Sequence, residues 1–278
     1  MADIKAIIKR GLRYIIKGVP VKRVTVKIVT LPPNDLLSGR CALVTGGTSG
    51  IGKEIARAFL TAGASVIIIG RTDEKVNKVV EELKLSTNGT VYGWAMNIDD
   101  VPKIEENFVK IQSLVGRNID ILVNSAGVFD SHSFGDTTEQ EYDLVLNTNL
   151  KGVYFLSQLF SKKLIEDECE GNILNIASSS GFRPANSPYA LSKWGIRGLT
   201  VGLARVLTPK GITVNGIAPG PTATPMLNVS NNHISHERNL TGRHATPEEI
   251  AQMAVVLVSN LGNILMQMKN NQMNSGKK

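Results

Sequence analysis

The sequence predicts an α/β fold built on a parallel, doubly wound sheet, and three observations carry that prediction. From Arg40 onward, apolar runs of strand length alternate with amphipathic stretches of helix length. Several of those runs are unbroken Val/Ile/Leu segments without polar alternation, which is how strands covered on both faces read. The connections between them are short, and strand–helix alternation with short connections gives parallel strands with helices on either side.

The strands are expected at residues 41–45, 65–70, 91–97, 119–124, 171–177 and 211–218. A helix at 53–60 should follow the first strand. Asp73 is placed to cap the next one, and Val101-Pro102 opens another with proline in its first turn. Thr246-Pro247-Glu248-Glu249 combines a cap, an N1 proline and an N3 glutamate ahead of the last helix.

A chain of 278 residues with 42% hydrophobic content can bury one sizeable core. No apolar run approaches the roughly 18 residues that cross a bilayer, and Lys9, Arg10 and Arg13 interrupt the N-terminal apolar residues, so no secretory signal is expected. The two cysteines, Cys41 and Cys169, have neither disulfide nor metal spacing, which suits a reducing cytoplasm. The net charge of +7 is concentrated in residues 1–40, which hold nine Lys/Arg against Asp3 and Asp35. The remainder is neutral, which argues against nucleic-acid binding by the body.

The organisation expected is therefore a basic extension at 1–39, a catalytic domain at 40–262 and a polar tail at 263–278. Within the extension, Ile4, Ile8, Leu12, Ile15 and Ile16 fall broadly on one helical face and Lys5, Lys9, Arg13 and Lys17 on another. Such a helix suits packing on the body or a second subunit, peripheral contact with an anionic membrane, or an acidic partner. Residues 21–30 alternate somewhat like a strand, and Pro32-Pro33 reads as a linker.

The first strand runs into Thr45-Gly46-Gly47-Thr48-Ser49-Gly50-Ile51-Gly52. Glycines at 46, 50 and 52 permit a tight turn, let the backbone approach a pyrophosphate, and let the helix pack closely while its N-terminus faces the phosphates. Thr48, Ser49 and Ile51 complete this candidate dinucleotide loop. The second strand ends in Arg71-Thr72, where a NAD enzyme would carry an acid for the ribose 2′-hydroxyl. An arginine pairs instead with a 2′-phosphate, which favours NADP(H) over NAD(H).

Tyr189 and Lys193 stand at i, i+4, one turn apart on one helix face. A free tyrosine titrates near ~10, so acid–base work at neutral pH needs help. A neighbouring ammonium, with a positive nicotinamide, would favour the phenolate and pull it toward the working range. Ser178, Ser179 and Ser180 precede the pair at the end of the fifth strand.

The T-G-x-x-x-G-x-G loop, N-S-A-G at 124–127, N-L-K-G at 149–152, the serine followed by Y-x-x-x-K, and Pro219-Gly220 occur in that order. Together they resemble the short-chain dehydrogenase/reductase family in its compact branch, over about residues 40–260. The resemblance implies a Rossmann-type fold and a set of roles. Asn124, Ala126 and Gly127 would stand by the adenosine ribose, Asn97 and Ile98 by the adenine, and Pro219, Gly220, Thr222 and Thr224 by the nicotinamide carboxamide. Tyr189 would donate a proton to a substrate carbonyl oxygen as hydride moves between nicotinamide and the carbonyl carbon. Ser178, in register with the family's N-I-S-S, would polarise that oxygen, with Ser179 and Ser180 as alternatives. Lys193 would hold the ribose hydroxyls and lower the tyrosine pKa. Asn149 would support a water chain that re-supplies protons, with Asn147 as the alternative.

The expected activity is thus an NADP(H)-dependent reduction of a ketone or oxidation of a secondary alcohol, by a homo-oligomer. The motifs do not separate 3-oxoacyl, steroid-like and sugar-like substrates. Two other readings compete: a cofactor-binding scaffold tethered by its N-terminus, and a lyase or epimerase on the same fold. His233 and His236 have H-x-x-H spacing without a third ligand, so no metal is expected. Residues 225–244 stand where the family has a substrate lid, and the family's seventh strand is missing after residue 262.

Overall fold

The computed structural model of the protein describes residues 35–130, 132, 134–227 and 242–262. The segments expected at 4–17 and 21–30, the Pro32-Pro33 linker, His233, His236 and the tail at 263–278 lie outside them. Among the described residues six strands form one parallel sheet: β1 (Cys41–Thr45), β2 (Ser65–Gly70), β3 (Val91–Ala95), β4 (Ile121–Asn124), β5 (Gly171–Ile176) and β6 (Ile212–Ile217). Their order is β3-β2-β1-β4-β5-β6, with Leu43 opposite Ile67 and Thr45 opposite Asn124. The helices are α1 (Gly50–Thr61), α2 (Asp73–Ser86), α3 (Val101–Val115), α4 (Glu139–Leu146), α5 (Gly152–Glu166), α6 (Pro188–Leu207) and α7 (Pro247–Val258).

The unbroken apolar runs have a simple cause, because successive side chains of a strand point to opposite faces. Ala42 and Val44 of β1, with Val66 and Ile68 of β2, join Ile55 and Phe59 of α1 in one core. Cys41 and Leu43, with Ile67 and Ile69, join Phe108 of α3 and Phe160 of α5 in the other. Both faces are dry, so neither set of alternate positions can be polar.

Helix ends follow the local chemistry, with one correction. The N-cap of α2 is Thr72, and Asp73 is the first helical residue. Asp73 and Glu74 therefore act through the first-turn dipole. At α7 the capping box is complete: Thr246 accepts from the Glu249 amide at 3.4 Å and Glu249 accepts from the Thr246 amide at 2.9 Å. Hydrogen bonds from Arg243 and from that amide hold the Glu249 carboxyl down at about 2.

Packing starts before residue 40. Leu37 is 0% exposed in the core that contains α1, and its amide bonds the Ala62 carbonyl at 2.8 Å. At the N-terminal edge of the sheet, Arg40 is tied to Asp120 and to Asn172. No described helix is long and apolar enough to cross a membrane.

Candidate active site

Strand order reverses between β1 and β4, and in sheets of this kind a crevice opens beyond the strand ends at that point. Thr45, the last residue of β1, builds its floor. Its hydroxyl donates to the Val123 carbonyl at 3.2 Å and accepts from the Ser125 and Ala126 amides at 3.1 and 3.2 Å. The loop after β4 is thereby drawn against the glycine loop. Gly46, at φ +66°, lies where a Cβ would come 2.7 Å from the Ala126 Cα. A Cβ at Gly52 would run into the Gly46 carbonyl, so α1 could not start this close to β1. On the other side, the Gly47 amide bonds the Ile69 carbonyl at 3.1 Å.

The resulting cleft is lined at one end by Gly46, Thr48, Ser49, Gly50, Ile51, Gly52 and Arg71, with Asn97 and Ile98 from the segment after β3. Ala126 and Gly127 form its middle, and Thr224, Tyr189 and Lys193 lie along it too. The N-cap of α1, Ser49, makes no side-chain capping bond, and the first turn of α1 has no acidic residue. Its amides and dipole are left to an anion in the cleft, which suits a pyrophosphate.

Not every expected residue is brought to this cleft. Asn124 is buried beneath it, donating to Ser157 at 3.0 Å and Asn175 at 2.8 Å. As the last residue of β4, it ties β4 to β5 and α5 instead of lining the cavity. Pro219, Gly220 and Thr222 also do not line it. The Pro219 carbonyl accepts from the Ser179 amide, and Thr222 bridges to Ala245, so these residues brace the loop that carries Thr224. Ser125 of the N-S-A-G motif and Pro225 and Met226 at the start of the expected lid line the cleft, and so do Ile69, Gly70, Met96, Val128, Thr148, Ile176 and Ala177, which the motifs did not mark. Their common signal was position, since most lie at or just past the C-terminal end of a parallel strand.

At the far end, α6 carries Tyr189 and Lys193 on one face. Lys193 is 7% exposed, and its ammonium donates to the Ile176 carbonyl at 2.9 Å and lies 5.5 Å from the centre of the Tyr189 ring. Burial drives its pKa down to about 8. Ser178, of the three serines, is hydrogen-bonded to the Tyr189 phenol, and its Oγ also accepts from the Ser180 amide at 3.1 Å. The expected depression of the tyrosine pKa does not arise within the polypeptide. Burial pushes the phenol above its ordinary range, the Ser178 hydrogen bond pulls it down, and the Asp130 carboxylate pushes it up. The lysine lies over the ring face.

Asn149 sits in a turn of π-helix, Asn147–Lys151, and is 1% exposed. Its Oδ1 accepts from the Val128 amide at 2.8 Å, and its Nδ2 donates to the Val128 carbonyl at 2.9 Å and to Ser192 at 3.1 Å. The amide is thus a clamp between the loop after β4 and α6. A Cβ at Gly127 would lie 3.4 Å from the Asn149 Oδ1 and 3.9 Å from the Lys193 Nζ, so its absence keeps the space before both groups open. Among the described residues no cluster of metal-ligating side chains occurs.

Comparison with known proteins bears on the same residues. A family model for the short chain dehydrogenase matches residues 40–235. A 3-oxoacyl-acyl-carrier-protein reductase of Aquifex aeolicus is 35% identical, over 82% of this chain and 94% of the relative. A 3alpha-hydroxysteroid dehydrogenase of Mediterraneibacter gnavus is 32% identical, over 81% and 92%. An actinorhodin polyketide ketoreductase solved with NADPH superposes with a TM-score of 0.73 at 32% identity, over 80% of this chain and 90% of that one. With one architecture shared along four-fifths of its length and a family model spanning the glycine loop through the Tyr–Lys helix, the chain belongs to the short-chain dehydrogenase/reductase family and is a nicotinamide-dependent oxidoreductase of carbonyl and alcohol groups.

Proposed function

We propose that the protein is an NADP(H)-dependent ketone reductase or secondary-alcohol dehydrogenase that uses Ser178, Tyr189 and Lys193. The observation that carries this reading is that Tyr189 and Lys193 line a cleft that also holds an uncapped helix N-terminus, with Ser178 bonded to the tyrosine phenol. When bound, the nicotinamide supplies or accepts the hydride. Tyr189 donates its phenolic proton to the substrate oxygen, and Ser178, already bonded to that phenol, hydrogen-bonds the same oxygen. Lys193 presents a buried cation to the ribose hydroxyls and to the tyrosine ring. Asn149 fixes both the Gly127 side of the cleft and, through Ser192, the helix that carries the pair.

Arg71 lines the cleft just past β2 with no acidic residue in its place, which supports a 2′-phosphate and hence NADP(H). The relatives' names, a 3-oxoacyl reductase, a hydroxysteroid dehydrogenase, a polyketide ketoreductase and gluconate dehydrogenases, support a ketone or secondary alcohol of the 3-oxoacyl, steroid-like or sugar-like classes. Tyr154 and Phe155 on α5 and Leu191 and Val201 on α6 are exposed, which supports self-association. The test is a panel of such ketones followed at the nicotinamide absorbance with NADPH and NADH. Arg71→Asp should lower the NADPH/NADH ratio of kcat/KM by at least about tenfold, the value of a single lost charge-assisted pair. An unchanged ratio would remove Arg71 from the reading.

A further inference from the structure

We propose that Asp130 is a positioning residue for Tyr189: its buried carboxylate holds the tyrosine's own backbone amide and sets a negative charge near the ring that bears the phenol. The inference rests on the reading of Tyr189 as proton donor.

Asp130 lies in the loop after β4 and is 7% exposed. A carboxylate so buried needs a partner, and its Oδ2 accepts the Tyr189 N–H at 2.8 Å, across 59 positions of sequence. This is not the ordinary cap of α6, because Ser187 already accepts from the Ala190 amide at 3.3 Å. Asp130 satisfies a second first-turn amide, and that amide belongs to the residue whose ring must be aimed. The neighbouring Phe129 packs on the same ring, with centroids 4.5 Å apart. Two adjacent residues therefore grip Tyr189 by its backbone and by its ring.

The carboxylate is also a charge. A negative group beside a phenol disfavours the phenolate, and it acts here with burial and against the Ser178 hydrogen bond. Lys193 lies over the ring from one turn on, and His132, two residues beyond Asp130, is bonded to Glu141 at 2.8 Å. A protonated phenol is the acid that carbonyl reduction requires, whereas alcohol oxidation requires the phenolate. Asp130 thus acts with burial in holding the phenol protonated.

Asp130→Asn keeps an oxygen that accepts the Tyr189 amide and removes the charge. The full-length protein and this variant are each compared with their own Tyr189→Phe version by phenolate absorbance, so that the difference isolates one tyrosine without any substrate. At pH 10 the variant should show a larger phenolate fraction than its parent, because the charge that disfavours the phenolate is gone. In turnover of a ketone and its alcohol with NADPH and NADP+, the pH limb assigned to Tyr189 should move down as well. Asp130→Ser, which retains a hydroxyl acceptor, gives the same reading should the asparagine variant fold poorly. A phenolate fraction that is unchanged or lower in both variants overturns the proposal. If Tyr189→Phe keeps its turnover, the catalytic reading falls, and the absorbance titration still decides the role of Asp130.

Discussion

Lys193 is a cation held almost wholly inside the fold, 7% exposed, and burial alone brings its pKa from the ordinary lysine value of 10.5 to about 8. A lowered pKa in the folded state means that folding favours the neutral amine. At pH 7 the lysine is charged in both states, so the fold carries the whole cost, and it is relieved only as pH rises from about 8 toward 10.5. At about 1.4 kcal/mol per pH unit the cost is about 3 kcal/mol. Lys193→Met keeps the apolar stem and removes the charge. It also strips the Ile176 carbonyl of its donor, a loss of about 1–2 kcal/mol. The apoprotein should therefore gain about 1–2 kcal/mol at pH 7, read as a higher denaturant midpoint or a Tm rise of about 2–4 °C per kcal/mol. The advantage should shrink between pH 8 and 10.5, and turnover should fall by at least about a hundredfold. A variant less stable than its parent at pH 7, or an advantage that does not change with pH, would refute the argument that desolvation dominates this lysine.

Other outcomes follow from the same geometry. Tyr189→Phe should lower kcat by at least about a hundredfold while cofactor affinity, measured by nicotinamide fluorescence, stays within a few-fold, because the ring and its stack on Phe129 remain. A loss confined to KM would move the proton donor elsewhere. Leu37→Ala should destabilise the body by about 2–5 kcal/mol, as for a fully buried leucine. A stability change under about 1 kcal/mol in chemical denaturation would show that the catalytic body begins after residue 37.

Much of the architecture was written in the order of residues. The β1 and β2 boundaries matched because strands dry on both faces must be apolar at every position, and that pattern ends where the chain leaves the sheet. The capping box before α7 is equally local, since it needs only Thr246 and Glu249 three residues apart. The glycine loop could be recognised because its spacing encodes a turn and a close approach that no side chain permits. Other features depend on which strands become neighbours, and spacing does not report that. Asn124 reads as a cofactor contact in its motif, yet pairing of β4 with β5 places Asn175 against it and commits its amide to the interior. Ser178 was preferred over Ser179 and Ser180 by its motif register, but its bond to the phenol is made only where α6 packs against the end of β5. The Tyr–Lys pair was visible as a period of four, but its electrostatics were not. The depressed lysine, the raised tyrosine and the Asp130 carboxylate at its amide are set by burial and by a contact spanning 59 residues. The sequence thus specifies which groups share a helix face, while the packed sheet decides what solvent and which charges those groups meet, because desolvation and Coulomb interactions depend on distance in space.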